Sequence, residues 1–334
     1  MKLLLIRFSS IGDIVLTTPV LRCLKRQYPQ AEIHFLVKQQ FKPVIAANPY
    51  IDVIHTLDQD LGETVAALKQ IRFDHIIDLH RNLRTMRVKK ALGAPSLTFE
   101  KLNFRKWLYV NFKWKVMPDK SIVDRYFEGM KPLKLKNDGE GLDYFIPENL
   151  RTRQDDIPMG HWAGFVGCVI GGSYFTKKLP ADRWKEFVAQ CPYPIILLGG
   201  PEDRDAGNEI VAADPAKVYN ACGKFNLNES ADLVKRAKVV VSNDTGLMHI
   251  AAAFKKPIVS LWGNTTPEMG MFPYYGFNNL NQNVSQLSVI MEVKDLGCRP
   301  CSKIGYHKCP RKHFRCMNDI SVTAIAEQVQ RLWK

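Results

Sequence analysis

Two series of short β-prone runs, each interspersed with helical patterns, constrain the fold of this chain more than any other feature. Runs at 2–8, 32–37, 52–57, 74–79 and 95–99 make the first series, with helical patterns at 14–28 and 61–71 between them. The second comprises 164–170, 194–199, 217–220, 238–242 and 257–262, separated by helical patterns at 180–190, 202–213, 228–236 and 246–254. Strands joined through helices pair in parallel, because a hairpin suffices only for antiparallel partners. The alternation therefore predicts an α/β protein with two parallel sheets. At 334 residues the chain exceeds the roughly 250–300 at which one hydrophobic core stops growing, so two domains are expected.

Ile146-Pro147 through Pro158-Met159-Gly160 is polar, charged and proline-bearing, the character of a connector. The expected division is 1–158 for the first domain, 159–318 for the second and 319–334 for a terminal segment. Ile325, Val329 and Leu332 stand at helical spacing there, and this helix is expected to pack back on the first domain. Hydrophobic residues at 46% and charged residues at 24% argue against long disorder. No apolar run approaches the ~20 residues of a membrane-crossing helix. The Met1–Ile6 start is too short, and broken by Arg7, to be a signal peptide, so a cytoplasmic location is expected. A net charge of +14, leaning to the N-terminal half, suits phosphate-rich partners such as nucleic acid, an anionic membrane surface or an acidic glycolipid. A solvated basic face is the alternative.

Ser242-Asn-Asp-Thr-Gly-Leu-Met-His249 follows the apolar Val239-Val240-Val241 and leads into a helical pattern. A strand turning through Asp-Thr-Gly into a helix aims backbone N–H groups at one point, where a phosphate can sit. A plain helix cap by Asp244 or Thr245 is the other reading. Near the N-terminus, Ser9-Ser10-Ile11-Gly12-Asp13 turns from the first strand into its helix, which puts Asp13 at the edge where open α/β sheets hold ligands. Gly12 admits close approach of a ligand, while Asp13 can equally cap its helix. Neither G-x-G-x-x-G nor G-x-x-x-x-G-K-[ST] occurs at this turn, which weighs against dinucleotide and P-loop enzymes. A third loop, Gly171-Gly172-Ser173-Tyr174-Phe175-Thr176-Lys177-Lys178, offers a phosphate cradle: Lys177 or Lys178 as a point charge, Ser173 and Thr176 as hydrogen-bond partners.

Taken together, the motifs at 9–13, 176–180 and 243–249 resemble glycosyltransferase family 9, the ADP-heptose:lipopolysaccharide heptosyltransferases. Leu179 stands where that family often has tryptophan, and Arg81-Asn82 where it often has glycine. The resemblance implies a GT-B fold of two Rossmann-like domains facing a cleft, with the acceptor mainly on the first and the nucleotide-sugar on the second. It implies Asp13 as catalytic base and Lys177 as phosphate-binding lysine. Donor binding would fall to Ser173, Thr176, Lys177, Asp244, Thr245, Gly246, Leu247 and His249. The implied reaction is inverting transfer of a heptose or related sugar from an ADP-sugar to a lipopolysaccharide or lipid A-core acceptor in a Gram-negative bacterium. No cofactor is required, since a lysine and a helix end can offset the charge of a leaving diphosphate.

From Arg81 to Lys115 ten basic residues face one acid, Glu100, and aromatics are interleaved among them. Arg81, Arg84 and Arg105, with Ser10 and Gly12, are the expected acceptor-binding residues, and the aromatics suit the inner face of the cytoplasmic membrane as a peripheral contact. Core aromatics with solvated cations are the alternative, and single-stranded nucleic acid would use the same residues. Cys298, Cys301, Cys309 and Cys316 lie within 19 residues and match a structural zinc site in ligand type and number; reduced thiols in a packed loop are the other reading. Three rivals to the transferase reading follow: a relative using another sugar donor, a nucleotide-sugar epimerase of the same fold, and a basic zinc-containing nucleic-acid-binding protein.

Overall fold

The computed structural model describes residues 1–58, 60–276 and 287–334. The first half runs β1 (Lys2–Ile6), α1 (Ile11–Val15), α2 (Thr18–Gln27), β2 (Glu32–Lys38), β3 (Val53–Leu57), α3 (Leu61–Lys69), β4 (His75–Asp78), α4 (Leu83–Leu92), β5 (Ser96–Thr98), α5 (Asn103–Phe112) and α6 (Ile122–Gly129). The second runs β6 (Val166–Val169), α7 (Ala181–Gln190), β7 (Ile195–Leu198), α8 (Arg204–Val211), β8 (Val218–Asn220), α9 (Leu227–Arg236), β9 (Val239–Asn243), α10 (Gly246–Ala253), β10 (Ile258–Trp262), β11 (Ser288–Glu292), α11 (Arg315–Asn318) and α12 (Val322–Leu332). The strand orders are β3-β2-β1-β4-β5 and β11-β10-β9-β6-β7-β8, and neighbouring strands pair in parallel. Each of the ten expected runs contains a strand. The central ones read as unbroken apolar runs because both faces are covered: Leu3, Leu4, Leu5 and Ile6 are fully buried, as are Val239, Val240 and Val241.

The strand order reverses beside β1 in the first sheet and between β6 and β9 in the second. A crevice opens at such a switch point, outside the carboxyl ends of the strands. The turn carrying Asp13 leaves β1, the Gly171-Gly172 loop leaves β6, and the Asp244-Thr245-Gly246 turn leaves β9, so all three lie on those ends.

Two departures from expectation have local causes. The helix expected at 14–28 is two helices, because the Thr17 and Thr18 hydroxyls donate to Ile14 O and Val15 O at 2.7 Å and Pro19 has no N–H to continue the ladder. The terminal helix, expected on the first domain, packs instead on the second. Ile325, Ala326, Val329 and Leu332 of α12 are buried with the apolar residues of β6, β7, β9 and β10, and Trp333 stacks on Tyr193 at 3.9 Å. An apolar stripe fixes which face of a helix is buried, not against which sheet.

The two lobes meet through glycine. A Cβ on Gly246 would lie 2.7 Å from Ile11 Cβ and Cγ2, and one on Gly12 would lie 2.5 Å from His249 Cδ2. Within the first lobe, buried Arg22 of α2 donates to both Asp138 oxygens at 2.8 Å and to Gly141 O at 2.8 Å, pinning the outgoing chain. Gly246→Ala is expected to cost about 1–3 kcal/mol through overpacking, whereas Gly160→Ala, with nothing within 4 Å, should stay within about 0.5 kcal/mol. Urea unfolding of the two variants checks this.

Candidate active site

Asp13 lies in the first turn of α1 and serves two partners at once. Its Oδ2 accepts from the Ser10 hydroxyl at 2.8 Å and the Ser10 N–H at 3.2 Å, which closes the cap of its own helix. Its Oδ1 pairs with the guanidinium of Arg7. Cap and cleft acid are therefore the same carboxylate. Burial favours its protonated form, but Arg7 and the two Ser10 hydrogen bonds outweigh that and hold the carboxyl below its ordinary range.

Across the glycine contact, the second lobe supplies Lys177 and Asp244, joined at 2.6 Å, with Thr265 Oγ1 donating to the same Asp244 oxygen at 3.0 Å. Lys178, the other candidate cation of that loop, is committed elsewhere: it pairs at 2.6 Å with buried Asp203. Thr176 is also turned away, its buried hydroxyl accepting from Tyr306 N at 2.8 Å and donating to Tyr306 O at 3.2 Å. Ser173 is exposed on the loop. Thr245 stands at the N-cap of α10, and its buried hydroxyl has no hydrogen-bond partner, nor has His249 Nδ1. Gly246 gives the close contact, and Leu247 is half-buried against the core. The helix start therefore brings free N–H groups and a hydroxyl to the crevice beside a lysine, a setting for a diphosphate.

His249 lies between the carboxylates of the two lobes. Burial lowers it, against the pull of Asp244 and Asp13, to about 4, so the imidazole is neutral. His80, packed on Phe8 at 5.0 Å, is likewise pushed down to about 4 by burial, then by Arg7 and Lys101.

The expected acceptor cations divide. Arg81 and Arg105 share a cavity of about 320 Å³ with Lys101, whereas Arg84 lines a separate one of about 510 Å³ with Lys38 and Gln39. Arg81 is partly engaged, donating to Phe99 O at 2.9 Å. Sequence reasoning gave no site role to Arg7 or His80; on α5, burial pushes Lys106 down to about 8, with Arg125 adding to the effect. A charged residue directly after a fully apolar strand was the available signal for Arg7. Asn243, part of the 243–249 motif but given no role there, is buried at the end of β9, donates to Ile170 O at 3.0 Å and accepts from Leu179 N at 3.2 Å, tying the two loops together.

The four cysteines lie within electrostatic reach of one another but are not arranged as the zinc site that was one of the two readings. Among the described residues no three His, Cys, Asp or Glu side chains converge to hold a metal ion. Cys316 instead turns into the second-lobe core, where burial pushes its thiol up to about 12, and Cys298 Sγ lies 3.7 Å from His313 Nε2. No disulfide joins these residues.

Both neutral imidazoles acquire protons once unfolded. Their depressed values in the fold mean that their contribution to stability is complete above about pH 6.5 and is lost as the pH falls through about 4. Melting temperatures should fall over that window, and more gently in His80→Gln. A slope equal to the parent's would refute the assignment.

The model of glycosyltransferase family 9 (heptosyltransferase) matches residues 63–303. Lipopolysaccharide heptosyltransferase 2 of Escherichia coli K12 is 25% identical over 304 residues, covering 80% of this chain and 84% of the relative. Among solved structures, the family 9 glycosyl transferase of Veillonella parvula superposes with a TM-score of 0.77 at 21% identity, covering 99% of this chain and 97% of the other. The E. coli ADP-heptose lps heptosyltransferase II gives 0.69 at 22% identity, covering 100% and 98%. Two parallel-sheet lobes enclosing a crevice are the GT-B arrangement, and with it the chain belongs to glycosyltransferase family 9, the heptosyltransferases.

Proposed function

We propose that this protein is an inverting glycosyltransferase that moves a heptose from ADP-heptose to an acceptor of the lipopolysaccharide core, with Asp13 as general base. The observation that carries the reading is the Gly12–Gly246 contact, which sets one ionised carboxylate against a lysine and a helix N-terminus across a single crevice. An acceptor hydroxyl attacks the anomeric carbon, the bond to the diphosphate breaks, and the hydroxyl proton passes to Asp13 as ADP leaves. On the donor side Asp244 is held by Lys177 and Thr265 and Asp203 by Lys178, which leaves both poorly placed as nucleophiles and favours one displacement over two. Lys177, Thr245 and the first N–H groups of α10 gain as charge builds on the leaving diphosphate. The charge can thus be met by this chain's own groups, and no divalent ion is called upon. Asp244, released from Lys177 by the incoming diphosphate, can then take sugar or ribose hydroxyls. The E. coli heptosyltransferase II, named for ADP-heptose, supports that donor; a relative using another ADP-sugar is the nearest rival.

Incubation with ADP-heptose and a truncated lipopolysaccharide acceptor, in excess chelator, should give product with an inverted anomeric centre. Asp13→Asn should lower kcat by about 10²- to 10⁴-fold. ADP release without an acceptor-linked product, or a retained anomeric configuration, would refute the assignment.

The same reading includes peripheral contact with the inner face of the cytoplasmic membrane. Among the described residues no helix is long and apolar enough to cross a membrane. Phe104, Trp107, Phe112 and Trp114 are 70%, 48%, 52% and 57% exposed and run ring against ring at 5.4–6.1 Å along α5 and just past it, flanked by Arg105 and Lys115. Aromatic edges beside cations fit the headgroup region of an anionic bilayer, next to the acceptor cavity of Arg81 and Arg105. Trp107→Ala with Trp114→Ala should reduce sedimentation with phosphatidylglycerol-containing vesicles by roughly tenfold or more. Equal sedimentation of parent and variant would count against this face.

A further inference from the structure

We propose that Arg7 is the positioning residue for Asp13: its guanidinium, itself anchored on three fixed oxygens, clamps the carboxylate in one orientation and so sets the aim of the base. This rests on the reading of Asp13 as the proton acceptor.

Arg7 follows β1 directly and is almost wholly buried. Its Nε donates to Ser9 O at 2.9 Å, its Nη1 to Leu79 O and at 3.3 Å to the Tyr126 hydroxyl, and its Nη2 to Asp13 Oδ1. The anchors come from the β1 turn, the end of β4 and α6, so the planar fork has no freedom to rotate. With Oδ2 held by Ser10, the Asp13 carboxylate is fixed at both oxygens. The pair is also unequal: the Arg7 side chain is 9% exposed and that of Asp13 is 24%. An ion pair serving the core alone has no need of an open anion beside a sealed cation; a base that must meet a substrate does.

The electrostatics fit the chemistry. Other groups facing Asp13 are His249 from α10, His80 after β4, Lys101, Lys106 of α5 and Tyr126 of α6. Both imidazoles are neutral, Lys101 and Lys106 add to the effect of Arg7, and the buried Asp78 that also faces Arg7 is paired with Lys89 at 3.1 Å. Such a field makes a carboxylate a weak base. Weakness matters little here, because a hydroxyl that has bonded to an oxocarbenium-like carbon becomes a protonated ether, far more acidic than any carboxylic acid. What the step requires is a base that is charged and aimed.

The test is kcat and kcat/KM against pH for Arg7→Met and Arg7→Lys, with Asp13→Asn alongside and melting temperatures recorded. Arg7→Met should raise the acid limb by about one to three pH units and lower kcat at neutral pH on the order of 100-fold, with donor KM little changed. Arg7→Lys keeps the charge and loses the fork, so its acid limb should stay near the parent's while kcat remains depressed. Parent behaviour in Arg7→Met, or full recovery of kcat in Arg7→Lys, overturns the proposal. Should Arg7→Met fail to fold, Arg7→Lys decides alone: depressed kcat at an unchanged melting temperature supports the clamp, and parent kcat overturns it. An inactive Asp13→Asn beside normal Arg7 variants removes only this inference, whereas an active Asp13→Asn removes the general-base reading itself.

Discussion

The close approach of two glycines, Gly12 and Gly246, is the constraint on which the rest depends. Without a side chain at either position, the first turn of α1 and the start of α10 come into backbone contact, and the ligand-bearing edges of two independent sheets become one crevice. Each sheet follows the ordinary logic of parallel strands, with apolar runs covered on both faces and functional turns at the carboxyl ends. Neither sheet alone would set an acid opposite an anion-binding helix end.

Charge inside that crevice is arranged by pairing and burial in turn. Asp13 is held by Arg7, and Asp244 by Lys177, while the imidazole of His249 between them is stripped of charge by its surroundings. On the proposed reading, a charged histidine there would compete with Arg7 and Lys177 for the two carboxylates. The neutral one fills the space under Gly12 and leaves both acids with their own cations.

Much of this was legible in the residues. The alternation of runs carried both sheets and put the turns at 9–13, 171–180 and 243–249 at strand ends, while the crevice between two lobes came from the resemblance those motifs carry. Four kinds of feature were not legible. Which cation of Lys177-Lys178 faces the crevice depends on the buried partner of the other, Asp203, 25 residues away in sequence. Where α12 packs depends on which sheet offers an uncovered face. The thiols between 298 and 316 have zinc-like composition, but convergence in space is a property of the loop path, and Cys316 goes to the core. The short edge strand β11 and the basic α4 escaped notice because neither carries a strong apolar period.

The Lys177–Asp244 bond has a consequence for selectivity. The lysine already has an anion at 2.6 Å, so the crevice carries its own counterion. Free phosphate, abundant in cells, offers little that Asp244 does not and leaves the displaced carboxylate stranded. A nucleotide-sugar offers a diphosphate to the lysine and hydroxyls to the carboxylate in the same event. On the proposed reading, binding is thus an exchange of partners, and the built-in occupant would screen out small anions that can satisfy only one side of it.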